Sequence, residues 1–243
     1  MGVKTDICEK AKEYLAGDYE VEEVDHIPSV EKVAFGKKAK KANVCAFSID
    51  LRKSTDLLYV HQKQTAGKIH KAFLHVAAST VLHFGGEIRS FKGDSLLALW
   101  PANYISEITQ CVRAAMTVKW LLAVELVSEF EQFSGIDFGI GVDWGEVLIA
   151  RAGIPRNANN NDLIFMGRCI NFAVALGEQA YGPNHLEIST TTYENLEDIA
   201  IYGEQKDWFG QPKKVDMWNN GAMKWQGQAV STKLTNWYWE LGD

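Results

Sequence analysis

Ala46-Phe-Ser-Ile-Asp50-Leu-Arg-Lys-Ser54-Thr55 is the stretch on which the fold turns. It completes an apolar run, Asn43-Val-Cys-Ala-Phe-Ser-Ile49, short enough for a buried strand and ended by a carboxylate. Downstream, Asp56 reads as the cap of a helix that runs through Ile69, Phe73, Val76 and Val81 to a Gly85-Gly86 stop. Glu87 to Phe91 and Ser95 to Trp100 then flank Lys92-Gly93-Asp94, a tight hairpin. A long amphipathic helix is expected over about 104–133, because Ile105, Ile108, Val112, Met116 and Leu122 recur at helical spacing. Residues 136–143 and 146–152 read as a second hairpin around Trp144-Gly145, followed by a polar loop from Arg156 to Asp162. A brief strand over 163–166 and a helix opened by Gly167, ending near Tyr181, complete the pattern. The order strand–helix–strand–strand–helix–strand is the split βαβ arrangement of a ferredoxin-like α+β core.

Outward from this core, residues 1–42 read as a charged N-terminal arm and 43–243 as one domain. The arm carries Lys37, Lys38, Lys40 and Lys41, a run expected to be a solvated linker. Beyond Asn184 the chain adds short strands and Trp218, Trp225, Trp237, Tyr238 and Trp239, a cluster expected to pack rather than bind. With 47% hydrophobic residues, 23% charged residues and a net charge of −6, the chain suits an ordered globular protein and not a nucleic-acid-coating one. Cys8, Cys45, Cys111 and Cys169 lie far apart without a C-x-x-C pair, so a reducing cytoplasm is the expected setting. No secretory signal or membrane span is read.

Several chemistries are excluded. There is no G-x-x-x-x-G-K-[ST] phosphate loop and no G-x-S-x-G elbow. Gly139-Ile-Gly141-Val-Asp-Trp-Gly145 superficially resembles a dinucleotide fingerprint, but strand-like sequence follows where a helix is required. His61, His70, His75 and His83 never stand at i, i+4, so a zinc site is not expected.

Two aspartates remain. In a split βαβ sheet the first and third strands are neighbours, so Asp50 and Asp94 converge at one sheet end. Paired anionic oxygens invite a hard divalent cation and substrate phosphates, and Ser54 and Thr55 offer backbone N–H groups at a helix start. Taken singly, a helix-capping Asp and a turn Asp account for each position better than a metal does.

The four blocks D-L-x-x-S-T (50–55), G-G-x-x-x-x-x-x-G-D (85–94), G-I-G-V-x-x-G-E-V (139–147) and G-x-x-[IV]-N-x-A (167–173) together resemble the class III nucleotide cyclases, over about 43–179. The resemblance implies a head-to-tail homodimer with composite sites. Asp50 and Asp94, assisted by the Leu51 carbonyl, would bind two Mg²⁺ or Mn²⁺ ions. Asn171 of the partner subunit would orient the nucleotide while the 3′ hydroxyl attacks the α-phosphate and pyrophosphate leaves.

Departures from the family pattern bear on the substrate. The two base-reading positions hold Ser90 and Ile164, which match neither purine code. Ile164 offers no acceptor to an exocyclic amine, which mildly favours a keto base such as uracil, with Ser90 or Arg89 donating to its oxygen, though the Ser90 hydroxyl can equally accept. Where the family carries a transition-state arginine this chain has Ala175, which leaves Arg168 or Arg151 as substitutes. These departures are similar to those of the pyrimidine cyclases of bacterial anti-phage (Pycsar) signalling. By that resemblance the chain converts UTP, or CTP, to a cyclic nucleotide read by a separately encoded effector. A non-catalytic nucleotide-binding relative and an adenylate cyclase with a remodelled pocket are the alternatives.

Overall fold

The computed structural model describes residues 2–133, 135–155 and 158–242. Helix α1 (Val3–Leu15) and strand β1 (Glu20–Glu23) lead through a 3-10 turn (Val30–Lys32) into β2 (Lys38–Leu51). Then come α2 (Ser54–Val60), α3 (Lys63–His83), β3 (Glu87–Lys92), β4 (Ser95–Pro101), α4 (Ile105–Trp120), a π-helical turn (Leu121–Glu125) and α5 (Val127–Glu131). β5 (Phe138–Gly153), β6 (Asn161–Met166) and α6 (Arg168–Gln179) follow. The C-terminal part comprises β7 (Leu186–Ser189), α7 (Thr190–Glu194), α8 (Asp198–Ile201), β8 (Tyr202–Lys206), β9 (Pro212–Asp216), β10 (Asn219–Trp225) and β11 (Gln228–Thr235).

The main sheet runs β10-β11-β7-β5-β2-β4-β3, with β1 added beside β2 and β6 beside β5. Its centre, β5-β2-β4-β3, is the ferredoxin-like order expected from the sequence, with β2 antiparallel to both neighbours. Alternation along β2 divides the core. Cys45, Phe47, Ile49 and Leu51 pack with Ile69 and Phe73 of α3 and Val112 and Met116 of α4. Val44 and Ala46 face the other way, toward Ile149, Leu163 and the α6 residues Cys169 and Ala173. Both faces are covered, which is why the strand reads as one continuous apolar run.

Several boundaries differ from expectation. β2 starts at Lys38, and its lysines are cross-strand partners of β1 glutamates instead of a solvated linker. Lys41 Nζ stands 2.8 Å from Glu23 and 3.1 Å from Glu146. Ile27 and Val33 are buried in the second core, so the stretch read as an arm is part of the folded sheet over its second half. Lys53 rather than Asp56 stands at the cap of α2, and the helix breaks before α3. The long helix expected over 104–133 is interrupted by the π-helical turn.

The hairpin expected at Trp144-Gly145 does not form: β5 is one strand of 16 residues, with both positions paired to β2. The glycines of this stretch serve helix packing instead of a turn. A Cβ on Gly139 would overlap the Gly177 carbonyl oxygen, and one on Gly141 that of Ala173, so α6 lies directly on the β5 backbone. Of the loop expected from Arg156 to Asp162, Arg156 and Asn157 lie outside the described residues, and Ala158–Asn160 makes a 3-10 turn.

The aromatic tail packs, as expected. Trp218 is buried, its Nε1 donating to Ala200 O at 2.8 Å, and Trp237 and Trp239 lie against the helical core. Buried Lys119 donates to the carbonyls of Thr235 (2.7 Å) and Trp237 (3.2 Å), and burial lowers its pKa to about 7. Among the described residues no helix is long and apolar enough to cross a membrane.

Candidate active site

Asp50 is fixed by register and by its successor. It pairs with Ser95 of β4 on one side and Gly139 of β5 on the other. Arg52, two residues on, donates from Nε to Ala180 O at 3.0 Å and from Nη2 to Gly177 O at 3.1 Å, fastening the β2–α2 junction to the end of α6. Asp94 sits in the β3–β4 turn beside Gly93, whose φ of +62° is the only positive φ there. That is the pattern of a II′ turn, with glycine at its first central position. The two carboxylates therefore meet at one end of the sheet, as the strand order implies.

Their electrostatics are unbalanced. Burial, then the Asp94 charge, raises the Asp50 pKa to about 6, with Glu178 of α6 adding to the rise and Arg52 opposing it. A cleft of about 150 Å³ opens beside Asp50, lined by Ser48, Ser90, Lys92, Ser95, Val174 and Glu178 among others. The side chains that could ligate a metal here offer oxygen, and crowded anionic oxygens are the surroundings a hard divalent ion satisfies. Asp50 and Asp94 fit such an ion. Among the described residues, no group of three or more His, Cys, Asp or Glu side chains could hold a metal ion, so two carboxylates would have to be supplemented by carbonyl, substrate or water oxygens.

Ser90 enters the cleft through an irregularity in β3. The ladder with β4 shifts between Ile88 and Ser90, which makes Arg89 the extra residue of a β-bulge. Ile88 packs on the helical face, so strict alternation would send Ser90 and Lys92 there as well. The bulge reverses the count and turns both to the cleft. Nothing in the composition of the strand signals it.

Arg89 contacts the Glu87 carboxylate and lies over the Phe165 ring at 5.3 Å; its buried Nε has no partner. Ser54 and Thr55 occupy the first turn of α2, just beyond Asp50. Ile164 is 42% exposed on β6. Asn171 is exposed on α6, one turn before the cleft residue Val174.

Arg168 and Arg151 are engaged elsewhere. Arg168 Nη1 lies 3.6 Å from Asp143 Oδ2, and the guanidinium stacks over Phe172 at 4.5 Å and Trp225 at 5.3 Å. It opens α6, whereas Glu178 is ten residues on, about 15 Å along the axis. Within one chain, then, Arg168 is not brought to the aspartate pair. Arg151 donates to Asn161 Oδ1 at 2.8 Å and stacks over Phe35.

No family model matches the chain. It is 26% identical to the uridylate cyclase of Burkholderia cepacia over 99% of this chain and 100% of that protein. It is 25% identical to the uridylate cyclase of Rhodovulum sp. (strain MB263), over 86% and 91%. Among solved structures, the guanylyl cyclase Cya2 superposes with a TM-score of 0.65 at 19% identity, over 82% of this chain and 94% of that one. A class III adenylyl cyclase-like ATP-binding protein from Pseudomonas aeruginosa gives 0.61 at 15% identity, over 80% and 43%. The fold is that of the class III cyclase catalytic domains.

Proposed function

We propose that this chain is a uridylate cyclase, a phosphorus–oxygen lyase that converts UTP to cyclic UMP and pyrophosphate, with CTP as the less favoured substrate. The observation that carries the reading is that, in a cyclase fold, Asp50 borders a cleft and Asp94 in the adjoining turn is near enough for its charge to act on Asp50. Similarity to curated uridylate cyclases along nearly the whole chain supports it.

Asp50 and Asp94, with the Leu51 carbonyl, hold two Mg²⁺ or Mn²⁺ ions, which when bound supply charge neutralisation on the phosphates and activation of the 3′ hydroxyl. Arg52 keeps Asp50 in position through its two carbonyl contacts. Ser54 and Thr55 present backbone N–H groups to the polyphosphate. Ser90, turned into the cleft by the bulge, and the unspent Nε of Arg89 are donors for a keto oxygen of the base, while Ile164 offers an amine no acceptor. Asn171 of the partner subunit completes each site in a head-to-tail homodimer. Its exposure in one chain, with no side-chain partner among the described residues, suits that role, as do the exposed apolar Ile164 and Met166. The product serves as a messenger for a separate effector in anti-phage defence within the cytoplasm; that part rests on the resemblance alone. Residues 43–243 form the catalytic unit, joined by the β1 segment.

A second reading, nucleotide binding without turnover, is favoured by Ala175 and by the engagement of Arg168 with Asp143. One experiment separates the two. The purified protein is incubated with UTP, CTP, ATP and GTP singly in Mn²⁺, and products are identified by mass spectrometry. Cyclic UMP is expected from UTP. Cyclic AMP would overturn the base assignment. Nucleotide-dependent thermal stabilisation without any product would establish the binding reading.

A further inference from the structure

Two carboxylates, Asp50 and Glu178, line the cleft and the Asp94 charge acts on Asp50 from the adjoining turn, yet on the reading above the cleft takes a polyanion. Metal ions account for the aspartates. The departing phosphates need a cation of their own, and four arginines of the chain are engaged elsewhere. Arg52 is bonded to two carbonyls and Arg151 to Asn161, Arg89 contacts Glu87 and turns its free Nε to the base on the reading above, and Arg168 lies 3.6 Å from Asp143. Lys92 is different. It lines the cleft beside Asp50, and among the described residues its ammonium has no ion-pair partner.

Register gives its place. Asp50 pairs with Ser95, and Ser95 pairs with Lys92, so the three form one row across β2, β4 and β3, all on the cleft face. Two lateral strand spacings put the Lys92 Cα roughly 10 Å from that of Asp50. That separation leaves room for a phosphate between the carboxylate and the tip of the lysine. Lys92 also stands two residues from Asp94, across the tight turn. The bulge at Arg89 sets this alignment; without it Lys92 would face the helical layer.

We propose that Lys92 is the cation of this cleft: its ammonium donates to the β- and γ-phosphate oxygens of the triphosphate and holds the pyrophosphate as it departs. This rests on the cyclase reading for the identity of the phosphates. The bond from O3′ to the α-phosphorus forms as the bond from that phosphorus to the bridging oxygen breaks. The electron pair stays on pyrophosphate, and the hydroxyl proton passes to solvent. Lys92 donates hydrogen bonds and transfers no proton. The assignment places the charge lost at Ala175 on the leaving group's side of the reaction.

The test uses the full chain with Lys92→Gln and Lys92→Arg, and Lys63→Gln on α3 as control. Inorganic pyrophosphate is titrated in Mg²⁺ by calorimetry, and UTP turnover is measured in parallel. Lys92→Gln should weaken pyrophosphate binding about 10-fold and lower kcat/KM about 100-fold, with the ligand-free Tm unchanged. Lys92→Arg should restore most of both, and Lys63→Gln should match the wild type. If Lys92→Gln binds pyrophosphate as the wild type does, the assignment falls, whatever the turnover. If the wild type makes no cyclic nucleotide but Lys92→Gln still loses pyrophosphate, the phosphate site stands and the cyclase reading falls.

Discussion

Asp50 and Asp143 lie on the same face of the same sheet, on adjacent strands, and burial raises both to a pKa of about 6. Their surroundings otherwise oppose each other. Asp50 borders an open cleft, and the next influence on it is another carboxylate, Asp94. Asp143 is fully enclosed, with the Arg168 guanidinium 3.6 Å away. The hydroxyls of Ser189 and Thr192, which bond to each other at 2.9 Å, and the Trp144 amide lie near it and temper the rise. A raised pKa therefore does not mark a site here. Access, and the sign of the nearest charge, separate an aspartate available to a ligand from one that ties a helix to a sheet. Asp143 holds Arg168, and Arg168 stacks on Phe172, so the first turn of α6 is anchored one residue-turn from Asn171.

The comparison is broken most directly by substitution. Asp50→Ala and Asp94→Ala should each lower UTP turnover about 1,000-fold or more, whereas Asp143→Asn should keep it within about 10-fold, measured as product formed per enzyme by mass spectrometry. Equal losses at all three positions would erase the distinction. Gly141→Ala is expected to act next most strongly, and on both regions together. The added methyl meets the Ala173 carbonyl oxygen, so α6 must lift from β5 at a cost of about 1–3 kcal/mol, read from the urea midpoint at constant slope. The smallest effect sharpens the contrast through pH. The folded-state pKa of Asp143 is raised, so its contribution is fully present below the unfolded value and is lost as pH rises through about 6. Asp143→Asn removes that loss. The Tm of the variant should therefore gain on the wild type by a few degrees between pH 5 and pH 8, and a constant difference would show that Arg168 already neutralises the carboxylate.

The placement of the two aspartates of the candidate site was legible because it follows from strand order. Asp50 at the end of an apolar run and Asp94 in the following hairpin meet wherever a split βαβ sheet forms, and they do. The Trp144-Gly145 turn failed for a physical reason. Glycine marks a turn when the backbone needs positive φ, but in β5 it marks the places where a helix comes close, and local sequence does not distinguish the two. The lysine run was read as a linker because its partners, Glu20, Glu22 and Glu23, lie some 18 residues earlier and pair only through the parallel register of β1. The bulge at Arg89 left no compositional trace, yet it decides which side chains of β3 face the cleft.

That bulge has a second consequence. β3 is an outermost strand of the main sheet, so one row of its backbone amides and carbonyls lacks a neighbour to bond. A flat strand there would invite another polypeptide to add on, by the same hydrogen bonds that build fibrils. An unpaired residue in its middle, with Glu87, Arg89 and Lys92 along its length, makes it a poor template. By this argument a variant that regularised β3 would be expected to lose solubility along this edge, as well as the aim of Ser90 and Lys92.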